Sequence, residues 1–125
     1  MAVKYLSKEW ADEFNTRAAE NAAPYKGKKA TLLNVVSDAP DGEVHYVIHF
    51  GNDSATITIG DQPDAEITMK QAYDTAVAIN KGEMDGQRAF MQGKVKISGK
   101  MVKMMQLRAA LAEMSKVLLS IDTEY

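Results

Sequence analysis

The sequence predicts an α+β fold in which helices cover one face of a mostly antiparallel, five-stranded β-sheet. Three observations predict it: alternating apolar residues at 44–50 and 54–59, helical periodicity at both ends of the chain, and glycine, proline and aspartate clusters between these segments. They give the order αββββααβα, that of a sheet with its helices gathered on one side.

Ser7 to Asn21 reads as the first helix. Ser7 can cap it, Leu6, Trp10, Phe14 and Ala18 recur on one helical face, and Pro24 and Gly27 break it. Ala30 to Val36 follows as a strand, with Leu32, Leu33, Val35 and Val36 offering apolar contact on both faces, so it is expected at the centre of the sheet. The turn chemistry of Asp38-Ala39-Pro40-Asp41-Gly42 leads into Val44–Phe50, and Gly51-Asn52-Asp53 makes a tight connection into Ser54–Ile59. These three strands form an antiparallel meander. Pro63 ends it. Ala65 to Met69 is a fourth strand running into a helix over Lys70–Asn80 that Lys81-Gly82 closes. A short helix at Asp85–Gln92 stops at Gly93, Lys94–Ser98 is a fifth strand, and Gly99 opens a final helix over Met101–Ser120.

Length and composition bound the function. The 125 residues have room for one core, so residues 1–125 are expected to form a single domain. The 46% hydrophobic and 26% charged content suits a soluble globular chain, and the absence of cysteine removes disulfides, thiolate metal sites and cysteine nucleophiles. A net charge of -2 argues against nucleic acid as a partner. The first ten residues lack the features of a signal peptide, which makes the cytoplasm the expected location. Charge is nevertheless uneven: between Asp85 and Arg108 six basic residues, Arg88, Lys94, Lys96, Lys100, Lys103 and Arg108, face one acidic residue.

The last helix carries the most information. On a wheel of about 100° per residue, the apolar residues from Met101 to Ile121 fill an arc of roughly 200°, whereas a helix needs only about 100° to cover a core. The excess calls for an apolar ligand, a second subunit or a membrane surface. Five of the eight methionines, Met91, Met101, Met104, Met105 and Met114, fall in this part of the chain. Methionine suits a pocket that refits around variable apolar shapes, although it also fills ordinary cores. Arg108 lies within the apolar arc, where it can snorkel to water or pair with an acidic headgroup.

Catalytic chemistry is not evident. His45 and His49, the only histidines, lie about 13 Å apart along one strand face and cannot share a metal. Asp38 with Asp41 and Asp61 with Asp64 are better explained as turn formers, and no nucleophile elbow, phosphate loop, zinc motif or cofactor site is recognisable.

The run Lys81-Gly82-Glu83-Met84-Asp85-Gly86-Gln87-Arg88-Ala89-Phe90-Met91-Gln92-Gly93-Lys94-Val95-Lys96-Ile97-Ser98-Gly99-Lys100 resembles the sterol-binding domain of the sterol carrier protein type 2 family. Ala89-Phe90 matches that family's Ala-Phe pair, Gly93 to Gly99 its Gly-Lys-apolar-Lys-Ile-x-Gly segment, and Asp64 to Met69 its aspartate-containing strand. The resemblance implies a five-stranded mixed sheet covered by helices around an enclosed hydrophobic cavity. It also implies non-enzymatic binding, transfer or presentation of fatty acid, fatty acyl-CoA or sterol, without a cofactor. The ending Asp122-Thr123-Glu124-Tyr125 differs from a peroxisomal tripeptide, so a stand-alone member of bacterial type is expected.

Taken with the wide apolar arc, the resemblance points to a lipid cavity lined by Phe90, Met91, Met101, Met104, Met105 and Leu111, with Arg108 and Lys103 as headgroup contacts. Expected partners are a lipid and, transiently, an anionic membrane surface or lipid-metabolising enzymes, with the chain a monomer or homodimer. Two other readings stay open. The arc can be a homodimer interface with no ligand. Alternatively, the fold can house a small isomerase, for which Glu66 and Asp74 are the only carboxylates worth testing.

Overall fold

A computed structural model describes residues 2–20, 29–40, 42–51 and 54–125. The elements run β1 (Val3–Lys4), α1 (Lys8–Ala19), β2 (Ala30–Ser37), β3 (Val44–Gly51), β4 (Ser54–Ile59), β5 (Ile67–Ala72), α2 (Tyr73–Asn80), α3 (Gly86–Met91), β6 (Val95–Gly99), α4 (Met101–Gln106), α5 (Arg108–Ser120) and β7 (Thr123–Glu124). Five strands form one mixed sheet in the order β4-β3-β2-β5-β6. Within this sheet only β2 and β5 pair in parallel; its other three pairings are antiparallel. Strand β2 is central, as its two-sided apolar pattern predicts.

Alternation assigns the faces. Leu32 and Val36 of β2, Ile48 and Phe50 of β3, Ile57 of β4 and Ile67 of β5 are buried in one apolar cluster. Helix α1 closes over it with Trp10 and Phe14, each almost fully buried, and burial of side chains this size contributes about 2–3 kcal/mol apiece. Ser7 caps α1 by accepting from the Trp10 N–H. Near the other end of the helix, Asn15 lies against β4 at the sheet edge: its Nδ2 donates to the Ile57 carbonyl at 3.0 Å and its Oδ1 accepts from the Ile57 N–H at 2.7 Å. One side chain thus takes the place of a neighbouring strand and blocks edge pairing there.

Three features depart most from the sequence expectation. Lys70, Gln71 and Ala72 continue β5 instead of opening α2, because they pair with Val35, Val36 and Ser37 of β2, and Lys70 and Gln71 also with β6. A ladder on both sides outweighs the modest helical preference of these residues. The final helix is two helices. The Leu107 N–H is shared between the carbonyls of Lys103 and Met104, at 3.0 and 3.1 Å, which tightens the last turn of α4, and the Leu107 side chain is drawn into the core. The third difference is an added parallel ladder of β1 with β7, joined by Val3 N–H to Asp122 and Tyr5 N–H to Glu124, both 2.9 Å. The expected helix end at Asn21, the breakers Pro24 and Gly27, Asp41 and the Asn52-Asp53 connection lie outside the described residues.

Gly99 fixes where α4 leaves the sheet. Its φ is +106°, and a Cβ there would stand 2.3 Å from the Glu66 carbonyl oxygen and 3.0 Å from the Ile67 Cα. Gly99→Ala is therefore expected to lower unfolding free energy by at least about 2 kcal/mol in a urea titration. In β3, on the other side of β2, His45 pairs with Glu43 at 2.8 Å and Asp61 at 3.3 Å. Its pKa is raised, chiefly by the Glu43 hydrogen bond and further by Asp61, against some desolvation. A raised folded-state pKa adds stability that is complete below the unfolded imidazole value and is lost as pH climbs through the folded one. His45→Gln should accordingly lower the melting temperature at pH 5.5 and leave it nearly unchanged at pH 8.5, with a difference under about 1 kcal/mol.

Candidate functional site

The residues expected to line a cavity come from α3, α4 and the start of α5. Asp85 caps α3 by accepting from the Gln87 N–H at 3.1 Å, and Ala89 anchors the helix with no exposed surface. Phe90 and Met91, next in the chain, stand 40% and 78% exposed. Helix α4 starts where the Lys100 N–H donates to the Glu66 carbonyl at 3.0 Å, and it presents Met101, Val102 and Met105 to solvent at 42%, 70% and 68%. These five account for most of the eight large apolar side chains exposed among the described residues. The excess apolar surface is thus real and concentrated on two short helices. Met104 and Leu111 are half-buried and pack against the core. Val102, the second most exposed of the five, is not among the residues expected from the sequence to line a cavity.

Arg108 begins α5, is exposed, and donates to the Gln87 Oε1 of α3, so it links the two segments. Lys103 reaches the other way: it pairs with Glu66, which Lys100 also approaches at 3.5 Å, and it donates to the Lys29 carbonyl at 3.3 Å. The Lys103 hydrogen bond, with the charges of Lys103 and Lys100, holds the Glu66 carboxyl below its ordinary pKa despite some desolvation. Of the remaining bases in this part of the chain, Arg88 on α3 and Lys94 and Lys96 about β6 are exposed.

Neither carboxylate considered for catalysis occupies an apolar pocket. Glu66 is ion-paired, and Asp74 is exposed in the first turn of α2. Among the described residues no group of three or more histidine, cysteine or acidic side chains is placed to hold a metal ion, and no helix is long and apolar enough to cross a membrane. An open groove of about 350 Å³ runs between the end of α2 and the C-terminal segment, lined by residues such as Asn80, Lys81, Leu119 and Tyr125. None of the six expected lining residues borders it.

The inner face holds polar groups that sequence reasoning did not single out. Asn34 and Gln71 are buried among apolar neighbours, and Gln71 Nε2 donates to Asn34 Oδ1 at 3.4 Å. Asn34 Nδ2, Gln71 Oε1 and Trp10 Nε1 are buried without a hydrogen-bond partner. An asparagine at an inward position of β2, between Leu32 and Val36, was the available signal.

A model of the SCP-2 sterol transfer family matches residues 11–112. Sterol carrier protein 2 of Gallus gallus is 34% identical over 74 residues, 58% of this chain but 14% of that protein's length. A crystal structure of sterol carrier protein 2 has a TM-score of 0.75 at 18% identity, over 94% of this chain and 99% of that one. Palmitated SCP2L2 from Aedes aegypti has a TM-score of 0.61 at 14% identity, also over 94% of this chain and 99% of that one. The likeness to both structures lies in the fold.

The burial pattern separates supporting from surface apolar residues on these helices. Val102→Ser and Met105→Ser should change unfolding free energy by no more than about 0.5 kcal/mol, whereas Leu107→Ala should cost about 2–5 kcal/mol, as read from parallel denaturant titrations.

Proposed function

The chain belongs to the SCP-2 sterol transfer family, and on that premise we propose that it binds lipids and passes them on without bond chemistry. The observation that carries this reading is the exposure of Phe90 and Met91 on α3 and of Met101, Val102 and Met105 on α4, next in sequence to the fully buried Ala89 and Leu107. Apolar exposure concentrated in this way marks an interaction site on a soluble protein. Its methionines are unbranched and polarizable, which suits ligands of variable shape.

In this reading Phe90, Met91, Met101, Met104, Met105 and Leu111 close around a fatty acid, fatty acyl-CoA or sterol, and Arg108 and Lys103 meet the head where it is an acidic carboxylate or phosphate. Exposed Met91, Met101 and Met105 become covered on loading. Half-buried Met104 and Leu111 form the inner side. The palmitated state of the Aedes aegypti relative is in keeping with an acyl ligand. Loading takes place at anionic membranes, where Arg88, Lys94 and Lys96 each contribute about 1 kcal/mol of attraction near the surface while the exposed apolar side chains contact the acyl region.

Native mass spectrometry of the protein as isolated from cells, followed by organic extraction, tests the binding claim. One lipid per chain is expected. Protein that arrives empty and then takes up no fatty acid, acyl-CoA or sterol overturns the reading. Cosedimentation with phosphatidylserine-containing vesicles tests the loading surface: binding should fall steeply as salt rises, and Val102→Asp with Met105→Asp should weaken it about tenfold or more.

A further inference from the structure

We propose that Asn34 and Gln71 form an internal recognition site for a neutral, hydroxyl-bearing lipid head. The inference rests on the lipid-binding reading above and specifies the chemistry at the inner end of the ligand. Asn34 is 2% exposed and Gln71 9%. Asn34 shares its face of β2 with Leu32 and Val36, and Gln71 shares its face of β5 with Ile67 and Met69, so both amides point into the apolar layer beneath the helices.

Nothing in the sheet requires amides at these positions. Their backbones join the ladder whatever the side chain, and an aliphatic residue at either place would extend the core. The single hydrogen bond between them leaves Asn34 Nδ2 without an acceptor and Gln71 Oε1 without a donor. Buried polar groups are nearly always satisfied, and an orphaned donor or acceptor is a standing destabilisation. Turning both amide heads over keeps the shared bond and again leaves one donor and one acceptor unmatched. The pair therefore offers one of each to whatever enters.

A hydroxyl is the smallest lipid group that answers both, its oxygen accepting from one amide and its proton donated to the other. An ionised carboxylate only accepts, and so does an ether oxygen. A third orphaned donor lies on the same side of the sheet: Trp10 Nε1, whose ring stands edge-on to Tyr46 with centroids 5.5 Å apart, Tyr46 being the cross-strand partner of Asn34. Access runs past flexible side chains. Met69 neighbours Asn34 on β5 and pairs with Ile97 of β6, and both are half-buried together with Met104 of α4. Methionines can change rotamer to admit a chain from the α4 side.

The test compares binding of 1-hexadecanol and its methyl ether, which share an alkyl chain and differ in the hydroxyl proton, each delivered from cyclodextrin to the full chain. Wild-type protein should prefer the alcohol at least about tenfold, since the ether leaves Gln71 Oε1 unmatched. Asn34→Leu with Gln71→Leu should abolish the preference, bind the ether no more weakly than wild type does, and unfold at the same or a higher denaturant concentration. Gln71→Met repeats the comparison with one smaller change. Equal binding of alcohol and ether by wild type overturns this inference and leaves lipid binding intact, as does a preference that persists in the variants; a bound water would then account for the amides. Failure of wild type to bind the alcohol, the ether or palmitate instead overturns the lipid-binding reading itself.

Discussion

The parallel pairing of β2 with β5 is the constraint on which the rest of the molecule depends. Strands β2, β3 and β4 form a meander that needs only short-range connections, but the remaining strands join the sheet through a single ladder, Leu32–Ser37 against Ile67–Ala72. That ladder sets the level of β5, and β5 in turn sets β6 through pairs running from Ile67 with Gly99 to Gln71 with Val95. Because a one-residue slip would turn every inward side chain of β5 outward, the burial of Ile67 fixes the register. The same register puts Gln71 beside Asn34.

From that junction the placement of α4 follows. Gly99 approaches the β5 backbone so closely that no side chain fits, and the chain turns there into α4. Lys100 and Lys103 converge on Glu66, holding the start of α4 against the start of β5. With α4 held at its first turn and tightened at its last by the shared Leu107 N–H, six residues are too few to bury two faces. One row, Met104, goes to the core and the others remain outside. The exposure of Met101, Val102 and Met105 is thus the consequence of a short helix pinned at both ends, and the proposed lipid site uses what the packing leaves uncovered.

Polar groups in the interior divide into two kinds. Asn15 satisfies both backbone groups of Ile57 and protects an edge, and the Tyr5 hydroxyl finds the Ala76 carbonyl at 3.4 Å; these are structural. Asn34 and Gln71 satisfy each other only halfway. In a low-dielectric interior a fully paired network rigidifies a core and a half-paired one weakens it, which is why the second kind points to a ligand and the first does not.

The sequence by itself determined every element of the five-stranded sheet, the central position of β2, the cap at Ser7, the stops at Gly82 and Gly93, and the presence of more apolar surface around Met101–Met105 than a core consumes. Periodicity of two and of 3.6, and the few residues that tolerate turns, are local properties and can be read along a chain. Tertiary structure alone decided that Lys70–Ala72 are strand, that the last helix breaks at Leu107, that Met104 and Leu111 turn inward while Met91, Val102 and Met105 do not, and that Asn34 meets Gln71. Each of these depends on a partner distant in sequence: β2 and β6 flanking β5, the core receiving Leu107, a register joining residues 37 positions apart. Pairing energy between distant segments competes with local preference and wins where two ladders or a buried leucine are at stake, and no window along the chain contains both sides of that competition.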